Sequence, residues 1–181
     1  MEVPTLLARV RGGDTHAFTA LVNDHQTRVF RWAFALTGDR DDAEDVTQEV
    51  FVRVYRKLGS YRGDGAFDAW LYRITRRVAL RSRRRNRAPE STGEADVYNT
   101  DPGARVDRER TSALIHTIAA TLPMRQREVF ILCDLEGLAP SQAAETLGMK
   151  DVSVRASLFK ARATIRRRIL ATHPHYQDTR S

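Results

Sequence analysis

Apolar residues recur at steps of three and four along most of the chain, which is the pattern of amphipathic α-helices. In the first half of the sequence this pattern predicts three main helices. Their apolar positions are, in order, Phe18, Leu21, Val22, His25, Val29, Trp32, Ala33 and Leu36; then Ala43, Val46, Val50, Phe51, Val54, Tyr55 and Leu58; then Phe67, Trp70, Leu71, Ile74 and Val78. His25 lies on the first stripe with no second ligand nearby in sequence, so we interpret it as a core histidine and not as a metal ligand.

The predicted second helix has clear end signals. Asp39, Asp41 and Asp42 crowd its start, where side-chain capping and the helix dipole both favour anions. Gly59 is expected to end it.

The second half of the sequence is also helical in pattern. Pro123 suits the first turn of a helix that Gly137 stops, and Gly148 closes a short helix over 140–147. The apolar stripes of the flanking helices are Leu114, Ile115, Ile118, Ala119 and Leu122, and then Val154, Leu158, Ala161, Ile165 and Ile169. No alternating strand pattern occurs, so the predicted fold class is all-α, in two small helical domains.

Charge is divided into blocks along the 181 residues, whose formal net charge is +7. Residues 1–88 carry 17 basic and 11 acidic side chains, residues 89–110 carry 3 and 6, and residues 111–181 carry 10 and 6. The acidic stretch that starts at Pro89 is polar and rich in turn-forming residues, and it cannot bury enough apolar surface to order itself. We therefore interpret it as a flexible acidic linker between two basic domains.

Several classes of protein are excluded by composition. No apolar run approaches the ~18–20 residues that a membrane span needs, and the N-terminus lacks the features of a secretory signal. The single cysteine, Cys133, excludes an intrachain disulfide and a cysteine-rich zinc site, which favours a cytoplasmic location. No phosphate-binding glycine loop, nucleophile elbow or histidine pair at metal-ligand spacing is present, so we expect no enzymatic activity, no cofactor, no metal and no small-molecule substrate.

A short helix, a glycine turn and a longer helix follow one another at 140–147, 148–150 and 151–170. This is the spacing of a helix-turn-helix, whose second helix enters the major groove of DNA. If Val154, Leu158 and Ala161 face inward, the remaining faces carry side chains that can contact bases or phosphates. These candidate DNA contacts are Lys150, Ser153, Arg155, Ser157, Phe159, Lys160 and Arg162. A plain helical hairpin with a solvated basic face is the alternative.

An arginine-rich run without any acid extends from Leu71 to Ala88. Aromatic residues lie at its start and in the preceding loop. Unpaired bases stack on aromatic rings while cations hold the phosphates, so the combination indicates contact with single-stranded or melted DNA. The candidate residues are Tyr61, Arg62, Trp70, Tyr72, Arg73, Arg76 and Arg77. A solvated basic face or a nucleic-acid tail is the alternative for the arginine run. Trp70 also falls on the apolar stripe, and a core position is its alternative.

The predicted second helix carries acids on its outward side. Asp45, Gln48 and Glu49 lie away from the Val46–Val50–Val54 stripe. Carboxylates on one exposed face without histidine are a weak metal signal, and a solvated face is the plain interpretation. An acidic patch on a DNA-binding domain cannot face DNA, so it favours a protein partner.

Five stretches of the sequence resemble conserved regions of a known family. The string 41–58 resembles conserved region 2.2 of bacterial sigma factors, and 67–77 resembles their regions 2.3 and 2.4. The strings 122–130, 147–148 and 154–162 are similar to region 4. Two sigma domains on so short a chain is the layout of the extracytoplasmic-function (ECF) group.

The resemblance implies a domain plan and partners. Residues 1–88 would form a sigma region 2-like domain, 89–107 the linker, 108–172 a region 4-like domain and 173–181 a polar tail. Core RNA polymerase, through its β′ coiled coil and β flap, promoter DNA and an anti-sigma factor are the implied partners. That last partner could hold the chain at a membrane.

The resemblance also implies a role for each group of residues. Asp45, Gln48 and Glu49 would bind the β′ subunit. The loop 60–65 and the helix from Phe67 would open the -10 element and hold a flipped base, and the region 4 helix would read the -35 element.

Two positions depart from the family's pattern. Family members often have a cationic residue where Ser157 stands, which leaves the -35 sequence open. They often have Ser or Thr where Ala139 would cap the short helix, so we expect a helix start weaker by ~1 kcal/mol.

Two rival functions remain open from the sequence. The first is an ordinary helix-turn-helix repressor or activator, which would need a dimerisation or ligand-binding element that residues 1–88 do not show. The second is a nucleic-acid enzyme, which would need acids clustered near the basic helix, whereas here they lie on a different helix.

Overall fold

The computed structural model of the chain describes residues 3–61, 63, 66–86 and 114–172. These residues form helices joined by short turns, without any strand among them. The chain divides into two compact units, Met1–Thr92 and Gly93–Ser181. The predicted all-α class in two helical domains is therefore confirmed. Arg62, the predicted linker 89–107 and the predicted tail 173–181 lie outside the described residues.

The described residues of the first unit form the three predicted helices and one more. Its elements are α1 Val3–Arg11, α2 Thr15–Thr37, α3 Arg40–Lys57, a 3₁₀ turn Leu58–Ser60 and α4 Phe67–Asn86. The unpredicted α1 buries Leu6, Leu7 and Val10 and packs against α2. These three residues have helical spacing, but the stretch is too short to be a strong signal by itself.

The caps of the first unit explain where its helices begin. Asp39 caps α3 as predicted, because its Oδ1 accepts the N–H of Asp42 at 2.8 Å. The prediction that Gly59 ends this helix is wrong by two residues: α3 ends at Lys57, and the chain continues in the 3₁₀ turn, where the N–H of Tyr61 bonds to the carbonyl of Leu58. Helix ends often pass into such a tighter turn.

The core of the first unit lies between α2, α3 and α4, which pack against one another. Val46, Val50 and Val54 turn inward from α3, as their spacing predicts. Trp32 of α2 and Tyr72 of α4 meet edge to face, with ring centroids 5.3 Å apart and an interplanar angle of 82°. An aromatic pair of this kind adds about 0.5–1.5 kcal/mol beyond the burial of its area.

The second unit has four helical segments among its described residues. They are α5, residues 114–120; α6, Met124–Phe130, which runs into a π-helical turn at Ile131–Leu135; α7, Pro140–Leu147; and α8, Asp151–Thr172. Their apolar faces meet in a core of Ile118, Ala119, Leu122, Phe130, Ala161 and Ile165. Pro123 is the residue before α6, one position earlier than predicted.

A buried charged residue ties α5 to α6. Arg127 is 5% exposed, and its guanidinium donates hydrogen bonds to the carbonyls of Ala120 and Leu122. The carbonyls at the end of a helix have no partner within that helix. Arg127 therefore supplies donors where α5 ends and the next helix begins.

The turn between α7 and α8 has the geometry that the sequence predicts. Gly148 has φ +65°, in the left-handed region that favours glycine. The N–H of Met149 bonds to the carbonyl of Ala144 at 2.9 Å, which closes the end of α7. At the other end, Ala139 has no side-chain acceptor, but Oε1 of Gln142 accepts the backbone N–H of Ala139 at 2.9 Å. The start of α7 therefore has one of the two hydrogen bonds of a capping box, the one that the side chain of Gln142 accepts.

Candidate polymerase and nucleic-acid interfaces

The acidic face of α3 is exposed, as the apolar stripe predicts. Asp45, Gln48 and Glu49 point to solvent because Val46 and Val50 occupy the core. Glu49 forms an i,i+4 ion pair with Arg53 at 2.5 Å on the same helix. No group of three or more His, Cys, Asp or Glu side chains in the described part of the chain is arranged to hold a metal ion. This face presents hydrogen-bond acceptors and negative charge.

Two large apolar side chains extend this surface, and the sequence reasoning missed them. Val52 is 50% exposed and Tyr55 is 55% exposed, although Tyr55 was expected on the inward stripe of α3. The ring of Tyr55 lies edge-on to Phe18 of α2, with centroids 5.0 Å apart. Because Gln48, Val52 and Tyr55 follow one another at steps of four and three, they lie on one face. The exposed surface of α3 is therefore both acidic and apolar.

Three aromatic rings meet where the chain enters α4, and we call Tyr61, Phe67 and Trp70 the aromatic cluster. The ring of Tyr61 lies 5.5 Å from Phe67 and 5.2 Å from Trp70, and Phe67 lies 5.5 Å from Trp70. Tyr61 is only 8% exposed, which corrects its interpretation as an open stacking surface. Trp70 is half-buried, so it is neither a full core residue nor a free ring.

Tyr72 requires a second correction. It was expected to contact melted DNA, but it is 0% exposed and packs against Trp32 in the core. Tyr72 lies roughly opposite Trp70 on the helix, because two residues turn the chain by about 200°. We therefore assign Tyr72 to packing and leave it out of the candidate DNA contacts.

The remaining candidates on α4 form one basic side of the helix. Trp70, Arg73 and Arg77 are spaced by three and four residues and lie on one face. Arg73 and Arg77 are exposed, and Arg76, on the flank of this face, is half-buried. A half-buried indole beside exposed guanidinium groups offers a stacking surface and phosphate contacts together.

Two side-chain tethers hold the aromatic cluster from neighbouring helices, and no sequence pattern pointed to them. Arg11 of α1 donates a hydrogen bond to the carbonyl of Tyr61. Arg28 of α2 lies 2.6 Å from Oδ2 of Asp68, the residue after Phe67. His25 is buried, as predicted for a core histidine. Its Nδ1 donates to the carbonyl of Leu21 at 2.9 Å, and its ring packs edge-on to Phe67.

The second helix of the helix-turn-helix exposes the residues that its stripe leaves outside. Val154, Leu158 and Ala161 are buried, which confirms the predicted register of α8. The candidate contacts Lys150, Ser153, Arg155, Phe159 and Lys160 are exposed and Ser157 is half-buried. Phe159 is 76% exposed and Val152, which the sequence reasoning did not select, is 77% exposed.

Two arginines of α8 are already paired within the second unit. Nε of Arg155 lies 2.7 Å from Oδ2 of Asp151, one turn earlier. Arg162 reaches Asp134, in the π-helical turn, through Nη2 at 2.6 Å and Nε at 3.0 Å. The second pair is bidentate and joins α8 to the π-helical turn that follows α6.

Comparison with known proteins gives two family matches. The model of sigma-70 region 2 matches residues 21–88, and the model of sigma-70 region 4 matches residues 112–165.

Among the described residues, every helix is too short or too polar to span a lipid bilayer.

Curated relatives and a solved structure agree with these matches. The ECF RNA polymerase sigma factor SigE of Mycolicibacterium smegmatis is 36% identical over 81% of this chain, which spans 59% of SigE. The ECF RNA polymerase sigma-E factor of Haemophilus influenzae is 34% identical over 91% of this chain and 93% of its own length. The structure of CnrH in complex with the cytosolic domain of CnrY has a TM-score of 0.66 and 26% identity, covering 92% of this chain and 96% of CnrH.

The helical domains, their order and these matches define a class of DNA-binding transcription initiation factors, the sigma-70 family. Within that class, the chain belongs to the ECF group of RNA polymerase sigma factors.

Proposed function

We propose that this chain is a non-enzymatic subunit that directs core RNA polymerase to promoters and opens them. One observation supports this most: the first unit presents an acidic and apolar face on α3 and an aromatic and basic face on α4. A protein that only bound duplex DNA would need no acidic face and no stacking surface. A polymerase subunit that also melts DNA needs both.

The α3 face is the proposed polymerase contact. Asp45, Gln48 and Glu49 would bind the β′ coiled coil. Because this face of α3 is acidic, the surface that it binds must carry basic groups. The exposed Val52 and Tyr55 supply apolar area beside the acids. Apolar contact ringed by polar groups is the usual composition of a stable protein interface.

The α4 face is the proposed -10 contact. Trp70 would stack on an unpaired base, while Arg73, Arg76 and Arg77 hold the phosphates of the same strand. Tyr61 would pack against Trp70 and hold its indole ring in place. Tyr61 would not stack on DNA itself, because its own ring is buried within the aromatic cluster. Arg62 keeps its proposed role in the adjacent loop, outside the described residues.

The α8 face is the proposed -35 contact. Arg155 and Lys160 would contact guanine or phosphate, Phe159 would contact a thymine methyl, and the hydroxyl groups of Ser153 and Ser157 would accept or donate at base edges. Lys150 lies in the turn, where it can reach the DNA backbone. The same domain, proposed as 108–172, would meet the β flap, and 89–107 would connect it to residues 1–88.

A regulatory partner and a location follow from the same proposal. CnrH was solved with the cytosolic domain of CnrY bound to it. We propose a comparable partner for this chain, an anti-sigma factor that covers one of these faces until a signal releases it. A protein that works with core polymerase acts in the cytoplasm, and an anti-sigma factor with a membrane segment would hold it at the membrane.

Run-off transcription with reconstituted polymerase tests the proposed function. The chain is mixed with core RNA polymerase and a library of random promoters, and the transcribed templates are sequenced. We expect enriched -35 and -10 elements at a fixed spacing. Transcription without any enrichment over core polymerase alone would contradict the proposal.

A further inference from the structure

The aromatic cluster is held at both ends by helices that carry no proposed DNA contact. Arg11 of α1 bonds to the backbone of Tyr61, which begins the segment between the 3₁₀ turn and α4. Arg28 of α2 bonds to Asp68, in the first turn of α4. Tyr61 and Phe67 are the first and second rings of the cluster, so each tether acts next to one of them.

The Arg28–Asp68 tether contributes little to the stability of the fold. Asp68 is already favoured in the first turn of α4 by the helix dipole, without any cation beside it. The Arg28–Asp68 pair is exposed, with 43% and 44% of the side chains accessible, and exposed pairs add little to stability. The pair joins α2 to the first turn of α4, where Nε2 of His25 also lies 3.6 Å from Asp68.

We propose that Arg11 and Arg28 are positioning residues for promoter opening, which act by holding the aromatic cluster at Tyr61 and at Asp68. This inference rests on the proposed function. Neither arginine needs to touch DNA. Each arginine holds the chain next to one ring, Tyr61 or Phe67, that packs beside Trp70, on which the unpaired base would stack. A surface that is ordered before binding loses less conformational entropy when the base binds.

The experiment compares two templates and two pairs of matched variants. Arg11→Ala is compared with Arg9→Ala, which removes the same charge from α1 but whose partner is Asp14. Arg28→Ala is compared with Arg31→Ala, which removes the same charge from an exposed position of α2. Each variant is assembled with core polymerase on the same promoter, as an intact duplex and as a template with a pre-melted -10 bubble.

We expect Arg11→Ala and Arg28→Ala each to reduce open complex on duplex DNA by about two- to five-fold, the scale of one hydrogen bond for Arg11 and of one exposed ion pair for Arg28. The bubble should restore most of the loss, and Arg9→Ala and Arg31→Ala should behave as the parent on both templates. Arg28→Lys, which keeps a cation near Asp68, should retain most of the opening. Adding Asp68→Asn to Arg28→Ala should cost less than the sum of the two single changes, because both remove the Arg28–Asp68 pair, while Asp68→Asn also alters the contact of Asp68 with Nε2 of His25 at 3.6 Å.

Two results would overturn this inference. The first is an equal loss on duplex and bubble templates, which indicates a general structural defect. The second is normal opening by both variants. If the parent chain supports transcription from neither template, the proposed function itself fails and this inference with it, so the two failures are distinguishable.

Discussion

Arg162 and Asp134 form a bidentate ion pair that ties the recognition helix α8 to the π-helical turn before α7. Two parallel hydrogen bonds from one guanidinium fix both distance and orientation. The pair occupies Arg162 within the protein, although its position alone would also suit DNA. Arg162 is therefore left out of the proposed base contacts of α8.

Arg155→Ala should weaken binding of the holoenzyme to its promoter by about 1–3 kcal/mol if the guanidinium is bidentate to a base. Arg155 is exposed near the start of α8, and its present partner Asp151 lies one turn earlier. Arg167→Ala, an exposed change near the other end of α8, is the matched control and should have a smaller effect. Binding is measured on the selected promoter and on variants of its -35 element. Equal affinity of parent and Arg155→Ala on every promoter would show that the register of α8 is wrong.

The pKa of Cys133 depends on the two charges of the Arg162–Asp134 ion pair. Burial and the neighbouring charge of Asp134 raise the pKa of the Cys133 thiol above its ordinary value, while Arg162 acts in the opposite direction. A raised pKa means less thiolate at pH 8 and slow alkylation. Asp134→Asn removes a raising charge and leaves the arginine, so the pKa should fall and the pH profile of iodoacetamide labelling should move to lower pH. An unmoved profile would contradict this, and Glu136→Gln serves as the control.

Reversal of the acidic face should weaken polymerase binding without unfolding the chain. Asp45→Lys together with Glu49→Lys should reduce affinity for core polymerase several-fold or more, since two attractive charges become repulsive. The side chains are exposed, and exchange of the Glu49–Arg53 pair for a like-charge pair costs only about 0.5–1 kcal/mol. Asp24→Lys reverses the charge at an exposed position of α2 and is the control for net charge. It is compared with the single variant Asp45→Lys. Co-purification at the parent level with normal helical circular dichroism would refute the assignment of this face.

Strand opening should depend on Trp70 and Arg73. Trp70→Ala and Arg73→Ala should each lower the permanganate reactivity of thymines near -10 while closed complexes still form, because stacking contributes ~1–3 kcal/mol per base. Trp70→Phe keeps a ring and should retain part of the opening. Tyr72→Phe, in the core, should leave opening unchanged. Normal reactivity in both alanine variants would place melting elsewhere.

Arg127 should be a stability residue of the second unit. Arg127→Ala removes the donor that serves the carbonyls of Ala120 and Leu122, and we expect it to cost about 2–4 kcal/mol of unfolding free energy. The exposed change Arg125→Ala should cost less than about 0.5 kcal/mol. Urea denaturation followed by circular dichroism measures both. Both tryptophans of the sequence, Trp32 and Trp70, lie in the first unit, so circular dichroism and not tryptophan fluorescence reports on the second unit.

Much of this fold was predictable because burial imposes a helical period on the sequence. The register of α8 followed from Val154, Leu158 and Ala161 alone. Whether Tyr72 faced DNA or the core was not predictable, since the answer depends on Trp32, in a different helix. The Arg28–Asp68 tether joins residues 40 positions apart, and no local spacing rule relates them. Local pattern therefore predicted which faces are apolar, but not which side chains meet across helices.

DNase I footprinting on a selected promoter tests most directly whether this chain acts as a polymerase subunit or as an independent DNA-binding protein. The footprint is recorded with the chain alone, with core polymerase alone and with both together. We predict protection of the -35 and -10 elements, with reactive thymines near -10, only when both are present. Full protection of the same elements by the chain alone, unchanged by core polymerase, would contradict the account and identify an ordinary helix-turn-helix regulator.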